Sequence, residues 1–397
     1  MQKNFLEDLK KKWNLKNKKI AIVHDFLVRF WWAERLVKNF SENFSDAKIF
    51  TLFYDEKNMW KIFPKEKIIT SSLQKFYNLS FWKYTHLFWM MPQAIEEFDF
   101  SDYDLVISSS SAFSKWIITN PETFHLSYVH APMRYSWDYF FKYPAEKKFW
   151  KIKKYFFNKM VSKIREWDYV SAQRPDKIIC PSKDVQKRVK KFWWRDSKII
   201  YPFVEIEKFF PDFKNKKEKY FLVVSQLVPY KKIDQIIQAF KIFSEKFPEE
   251  KLFIAWSWPE ENFLKKISWD KLWKNIFFVW PKYWEDLVKI YQWAKLFIFA
   301  SIDDFWMTPI ESMACWVPVL AIEKWWALET VIWDWDNQTW FFYQKQDSEE
   351  IAKNLFWIKE KNFLSWEKFL DLQKNSVEQA KKFSKKIFEE KIFLEIK

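Results

Sequence analysis

Asp303-Asp304-Phe305-Trp306-Met307-Thr308-Pro309-Ile310-Glu311-Ser312-Met313-Ala314-Cys315-Trp316-Val317-Pro318-Val319 follows one aliphatic run, residues 296–299, and leads into another, residues 318–321. Read locally, it is a strand, a turn, a helix and a second strand. A turn that ends in a helix N-terminus offers free backbone amides to an anionic ligand such as a diphosphate. Glu311, in the first helical turn, can accept hydrogen bonds from hydroxyl groups. From Glu311 alone, a first-turn carboxylate complementing the helix dipole is the favoured reading.

The same alternation extends outward along nearly the whole chain, which points to α/β architecture with largely parallel sheets. Residues 20–24, 48–53, 105–108, 125–129 and 177–180 read as strands of a first series, with Ser182 as N-cap of the helix that follows. Leu36, Val37, Phe40 and Phe44 recur at helical spacing after the Trp31-Trp32 turn. A second series comprises residues 220–225, 252–255, 276–279, 296–299 and 318–321, with Ile233, Ile236, Ile237, Phe240 and Phe247 marking an amphipathic helix between its first two strands. The polar run 212–219 is the linker candidate. Two consecutive doubly wound, Rossmann-like halves are therefore expected: residues 1–211, residues 212–375, and a helical tail from 376 to 397 packing back on the first half. Ligands of such folds bind outside the carboxyl ends of strands, so the halves are expected to face one another across a cleft.

The chain of 397 residues has a net charge of +15, but only seven of its 67 basic side chains are arginine, and phenylalanine is abundant at 44. That profile fits an A/T-rich gene, and no recognition motif supports nucleic acid as a partner. Peripheral contact with a membrane surface is compatible with the charge. Cys180 and Cys315 lie far apart in apolar runs and read as small buried residues of a reducing, cytoplasmic environment. The lysine-rich first 19 residues have no apolar core of signal-peptide length, and no stretch approaches a membrane span.

Glycine is absent, whereas tryptophan occurs 28 times, about the 7% share that glycine ordinarily takes. Tryptophan also stands where turns call for glycine: Trp31-Trp32, Trp256-Ser257-Trp258 and Trp325-Trp326 each follow a strand. Such turns need positive φ or close backbone approach. The expectation is a gene whose code reads UGA as glycine, shown here with tryptophan. Overpacking at about twenty such sites, roughly 1 to 3 kcal/mol each, would exceed a net stability of about 5 to 15 kcal/mol. Trp137 and Trp167 are the candidates for genuine tryptophan.

With glycine at Trp306 and Trp316, the opening segment resembles the signature of glycosyltransferase family 4, two acidic residues separated by seven. The resemblance covers about residues 20–375 and implies a GT-B fold, retaining sugar transfer from a nucleotide-sugar, and a place in polysaccharide biosynthesis. By this resemblance Asp303 takes the first acidic position, near the donor sugar, where the family has glutamate, and Glu311 the second, on the nucleotide ribose. Trp306, Met307 and Thr308 form the donor-binding turn between them. Trp325-Trp326-Ala327-Leu328-Glu329 matches a glycine pair with its glutamate, and Trp31-Trp32-Ala33-Glu34 the N-terminal glycine loop near the phosphates. In residues 225–232, Lys231 matches the phosphate-binding lysine, while Gln226 replaces an arginine. Taken alone, Lys231 reads more readily as a solvated lysine. His130, in Tyr128-Val129-His130-Ala131-Pro132-Met133-Arg134-Tyr135, matches the active-site histidine, for donor positioning or assistance. The block Ser171-Ala172-Gln173-Arg174 completes the ordered set.

The implied chemistry builds charge on a departing diphosphate, to be met by Lys231, helix amides and the glycine loops. No metal or other cofactor is expected; Asp334-Trp335-Asp336 reads as turn chemistry. The resemblance favours GDP-mannose as donor and a glycan or lipid-linked acceptor. Two rivals remain: a nicotinamide-dependent oxidoreductase, which lacks the expected glycine fingerprint, and a noncatalytic nucleotide-sugar-binding or scaffold protein, encouraged by Gln226 and Asp303.

Overall fold

The computed structural model describes residues 15–79, 84–141, 144, 150–212, 220–255, 260–280, 284–301, 307–324, 327–330, 339–361 and 366–396. The chain divides into two compact units, Met1–Tyr201 with Glu389–Lys397, and Pro202–Phe388.

The first unit is built on a seven-stranded sheet of β1 (Ile20–Leu27), β2 (Lys48–Tyr54), β3 (Ile68–Thr70), β4 (Leu105–Ser110), β5 (Phe124–Val129), β6 (Lys177–Cys180) and β7 (Lys198–Ile199), in the order β3-β2-β1-β4-β5-β6-β7. Every neighbouring pair is parallel. Strands covered on both faces need no polar alternation, and β4 is accordingly buried at every position. The helix Trp32–Asn43 buries Leu36, Val37 and Phe40, which is the stripe its spacing foretold. Strand order reverses between β1 and β4, which sets a topological switch point at their carboxyl ends.

The second unit repeats the plan with six strands: β8 (Tyr220–Val224), β9 (Lys251–Ala255), β10 (Ile276–Val279), β11 (Ala294–Phe299), β12 (Val319–Ile322) and β13 (Trp340–Tyr343), ordered β10-β9-β8-β11-β12-β13 and parallel throughout. Its switch point falls between β8 and β11. Helix Ile233–Lys246 turns Ile233, Ile236, Ile237, Phe240 and Phe243 onto this sheet, each such burial worth about 1.5 to 3 kcal/mol. Cys180 and Cys315 are both buried.

Three differences from the sequence reading have local causes. Strands β3, β7 and β13 were not foreseen; all three are sheet edges of two to four residues, too short to carry a periodic signal. The units divide at Tyr201/Pro202 rather than at residue 211. Residues beyond Pro202 are held in the second unit, where the Val204 amide donates to the Phe383 carbonyl at 2.8 Å and the Phe203 and Phe388 rings meet at 5.1 Å. Finally, the tail is two helices, Trp366–Lys381 and Lys385–Phe393. The chain returns to the first unit at Glu389, whose carboxylate accepts from Asn43 Nδ2 at 2.8 Å and also from Asn39 Nδ2.

Candidate active site

In the first unit, the candidate residues gather at the carboxyl ends of β1, β4 and β5. Asp25, buried near the end of β1, accepts four backbone N–H groups, those of Ser111, Ala112, Phe113 and Ser114, at 2.6 to 2.8 Å. This clamps the turn after β4 against β1. His24 is opposite Ser109 in the sheet register, and its Nδ1 lies 3.0 Å from the Ser109 carbonyl while Nε2 lies 3.3 Å from Glu34 Oε1. The other Glu34 oxygen accepts the Trp31 amide at 2.8 Å. His130 follows β5; its Nε2 is 2.9 Å from Ser109 Oγ, and its amide donates to the Ser110 carbonyl. Glu34, His24, Ser109 and His130 thus form one hydrogen-bonded chain from the Trp31-Trp32 turn to the histidine.

The electrostatics of the two imidazoles diverge. Burial pulls His24 down, but the hydrogen bond and charge of Glu34, together with Asp25 and the Ser109 carbonyl, outweigh it, and the ring is held above its ordinary value. Burial takes His130 the other way, to about 3, with His24 adding to the effect. His130 is therefore a neutral ring at physiological pH, able to offer one donor and one acceptor. Trp31 has φ −130°, extended backbone open to any residue, so positive φ does not call for glycine there. The Arg29 and Arg35 guanidinium groups lie 4.2 Å from the Trp31 and Trp32 ring centroids respectively.

In the second unit, the turn after β8 carries Gln226 and Lys231, and helix Thr308–Ala314 with Glu311 is the next described helix after β11. These two strands are neighbours at the switch point. Lys231 is 1% exposed, with Nζ 4.9 Å from the Tyr230 ring centroid, so it is not a solvated surface lysine. Gln226 is half-buried, and its carbonyl accepts the Val228 amide at 3.0 Å. Glu311 is 2% exposed, and its Oε2 accepts the Tyr291 hydroxyl at 3.1 Å. Met307 and Thr308 are buried, and Thr308 Oγ1 has no hydrogen-bond partner among the described residues. Glu329 is half-buried on the short helix Ala327–Thr330. Asp303, Trp306, Trp325, Trp326, Asp334, Trp335 and Asp336 lie outside the described residues.

Sequence reasoning overlooked His24, Asp25, Ser109 and Tyr291. Glu34 carried a legible signal, a glutamate three residues after a helix N-cap. His24 and Ser109 become partners only through the β1–β4 register, which no local pattern encodes.

Two parallel Rossmann-like sheets of this kind define the GT-B fold. The chain is similar over 95% of its length to HepE of Anabaena solved with UDP and glucose (TM-score 0.67, 14% identity, 99% of that chain). It is comparably similar to sucrose-phosphate synthase of Thermosynechococcus elongatus (TM-score 0.66, 15% identity, 95% of this chain and 97% of that one). Residues 33–208 match the family model for Glycosyltransferase Family 4, and residues 204–383 that for Glycosyl transferases group 1. Together the two models span residues 33–383, and with the GT-B likeness they support a glycosyltransferase family 4-like protein. A curated relative, the capsular polysaccharide biosynthesis glycosyltransferase CapM of Staphylococcus aureus, is 29% identical over 162 residues, 38% of this chain and 42% of the relative's length.

Proposed function

We propose that the protein is a retaining glycosyltransferase that moves a sugar from a nucleotide-sugar to a glycan or lipid-linked acceptor. The observation that carries this reading is the placement of Lys231 and Glu311 past the carboxyl ends of β8 and β11, the neighbouring strands at which strand order reverses. Ligands of open α/β sheets bind at that point. In this reading Lys231 meets the diphosphate as charge grows on the leaving group, and Thr308 Oγ1, buried and without a partner among the described residues, donates to a phosphate oxygen. Glu311, oriented by Tyr291, takes the ribose hydroxyls. His130, held by Ser109, positions the donor, and Lys231 supplies the cation without a metal. GDP-mannose is the first donor to test; UDP-glucose is the second, because HepE has been solved with it.

The noncatalytic alternative rests on Gln226 where the resemblance has arginine and on Asp303 where it has glutamate. A thermal-shift screen of nucleotide-sugars followed by steady-state transfer separates the two. Lys231→Ala is expected to lower turnover more than donor affinity, because its interaction strengthens toward the transition state. Glu311→Ala is expected to weaken donor binding by roughly 1.5 to 3 kcal/mol with a smaller effect on turnover. Donor binding without hydrolysis or transfer would favour the scaffold reading, and folded Lys231→Ala with parental kinetics would remove the phosphate site from that turn.

We also infer that part of the tryptophan stands where the native protein has glycine. Three of the four non-glycine residues at positive φ among those described are tryptophans: Trp194 at 55°, Trp273 at 63° and Trp316 at 68°. Trp316 closes helix Thr308–Ala314 with its amide on the Met313 carbonyl and the Val317 amide on that of Ser312, the helix-ending motif whose left-handed residue is usually glycine. Peptide mass spectrometry of native protein is the test; tryptophan at position 316 would overturn the reading there.

A further inference from the structure

Helix Lys151–Ser171 buries Phe157, Val161, Ile164, Asp168 and Ser171 in the first unit. At 3.6 residues per turn, the opposite face carries Ile152, Tyr155, Phe156, Lys159, Lys163 and Val170, with Glu166 and Ser162 between them. The four apolar members of this face are 54 to 65% exposed. Phe141, shortly before the helix, is 83% exposed. Residues 151–163 contain five lysines and no acidic residue. Lys159 Nζ lies 5.0 Å from the Tyr155 ring centroid, and the Tyr155 and Phe156 rings meet at 5.7 Å. From Ile152 to Val170 the strip runs about 27 Å. It contains no tryptophan, so it is the same strip whichever way the tryptophan positions are read.

Each class of partner asks for a different surface. Protein–protein interfaces deplete lysine at their centre, and two copies meeting across a two-fold axis would set like charges together. An anionic lipid surface asks for what is found: large apolar side chains interleaved with lysines whose stems reach along the apolar strip to headgroup phosphates. No helix among the described residues is long and apolar enough to cross a membrane. We propose that this face of helix Lys151–Ser171 docks the protein on an anionic membrane surface, with the helix lying along the interface.

The test is co-sedimentation of the full chain with vesicles of phosphatidylcholine alone and of phosphatidylcholine mixed with an equal part of phosphatidylglycerol. Three double variants accompany it: Lys159→Glu with Lys163→Glu, Ile152→Ser with Phe156→Ser, and, as an equal charge change on exposed positions elsewhere, Lys57→Glu with Lys75→Glu. All alter solvent-facing side chains, and circular dichroism verifies folding. Binding to the anionic vesicles is expected to fall more than about tenfold in each helix variant and to weaken with salt, while the control keeps it. The proposal is overturned if the parent ignores anionic vesicles, if the helix variants bind as it does, or if the control loses as much. A parent that light scattering shows as a dimer, and that the helix variants make monomeric, would assign the face to a second copy instead.

Discussion

His125 shows how much one side chain contributes that a sequence cannot reveal. Its Nε2 is 2.9 Å from Ser108 Oγ, Nδ1 has no partner among the described residues, and the residue is fully buried. Burial, reinforced by Arg174 and Arg195, pushes the ring down to about 3. In the unfolded chain the ring takes up a proton near its ordinary value of 6.5. The stability linked to this histidine is therefore complete above that pH and lost as pH falls toward 3. At about pH 5 the loss is about 2 kcal/mol. His130 acts in the same direction. His24, held above its ordinary value, acts oppositely, contributing at low pH and losing its contribution as pH rises through its folded value. Urea unfolding at about pH 8 and about pH 5 should show His125→Asn losing about 2 kcal/mol less on acidification than the parent. Equal losses would place the acid sensitivity elsewhere. Among four histidines in the sequence, only the motif around His130 separated it from the others; burial, which sets its charge, comes from strands distant in the chain.

At the scale of elements, the tryptophans fall into groups with opposite roles. Trp194 ends helix Lys183–Trp193 in the left-handed region, 77% exposed, with its amide on the Lys190 carbonyl at 3.1 Å. A side chain there works against the backbone, so Trp194→Gly and Trp316→Gly should each stabilise the chain by about 1 to 2 kcal/mol. By contrast, Trp137 and Trp193 donate their indole N–H groups to Asp168 at 2.7 and 2.9 Å. That buried carboxylate also pairs with Lys115. Trp167 donates to Glu96 at 3.1 Å and stacks on Trp116. Replacing Trp193 by glycine should cost at least about 3 kcal/mol. Denaturation midpoints of the three variants give the signs, and a shared sign would defeat the division. The glycine-type position at Trp316 was legible from the motif that holds it; the indole partners of Asp168 were not, because they come from a loop and from a helix other than its own.

For the whole molecule, the first unit is closed by residues from the far end of the chain. Glu395 pairs with Lys177 at 2.6 Å and also with Lys198, the Phe393 and Phe44 rings meet at 5.5 Å, and Glu389 caps Asn39 and Asn43. Deleting residues 389–397 should destabilise the first unit by at least about 3 kcal/mol, the cost of losing one buried phenylalanine. Unfolding of the second unit should be much less affected. Hydrogen exchange of β1 and β6 compared with β8 and β11 measures the two separately, and equal deprotection in both units would contradict this assignment of the tail.

The chain's own pattern determined the architecture, because strands buried on both faces must be continuous apolar runs and helices covering them must repeat near 3.6 residues. Local motifs, through their resemblance to the family, likewise singled out the segments around His130, Lys231 and Glu311, since each motif is a short continuous stretch of chain. Tertiary structure alone decided which turns lie side by side, through the strand orders β2-β1-β4-β5 and β9-β8-β11-β12. It alone paired His24 with Glu34 and Ser109, gave Glu311 its tyrosine, and brought the last nine residues back to the first unit. Each of these depends on registers and burials between residues from 10 to 350 positions apart, and the free energy that selects them belongs to the packed sheet and its covering helices rather than to any stretch of sequence.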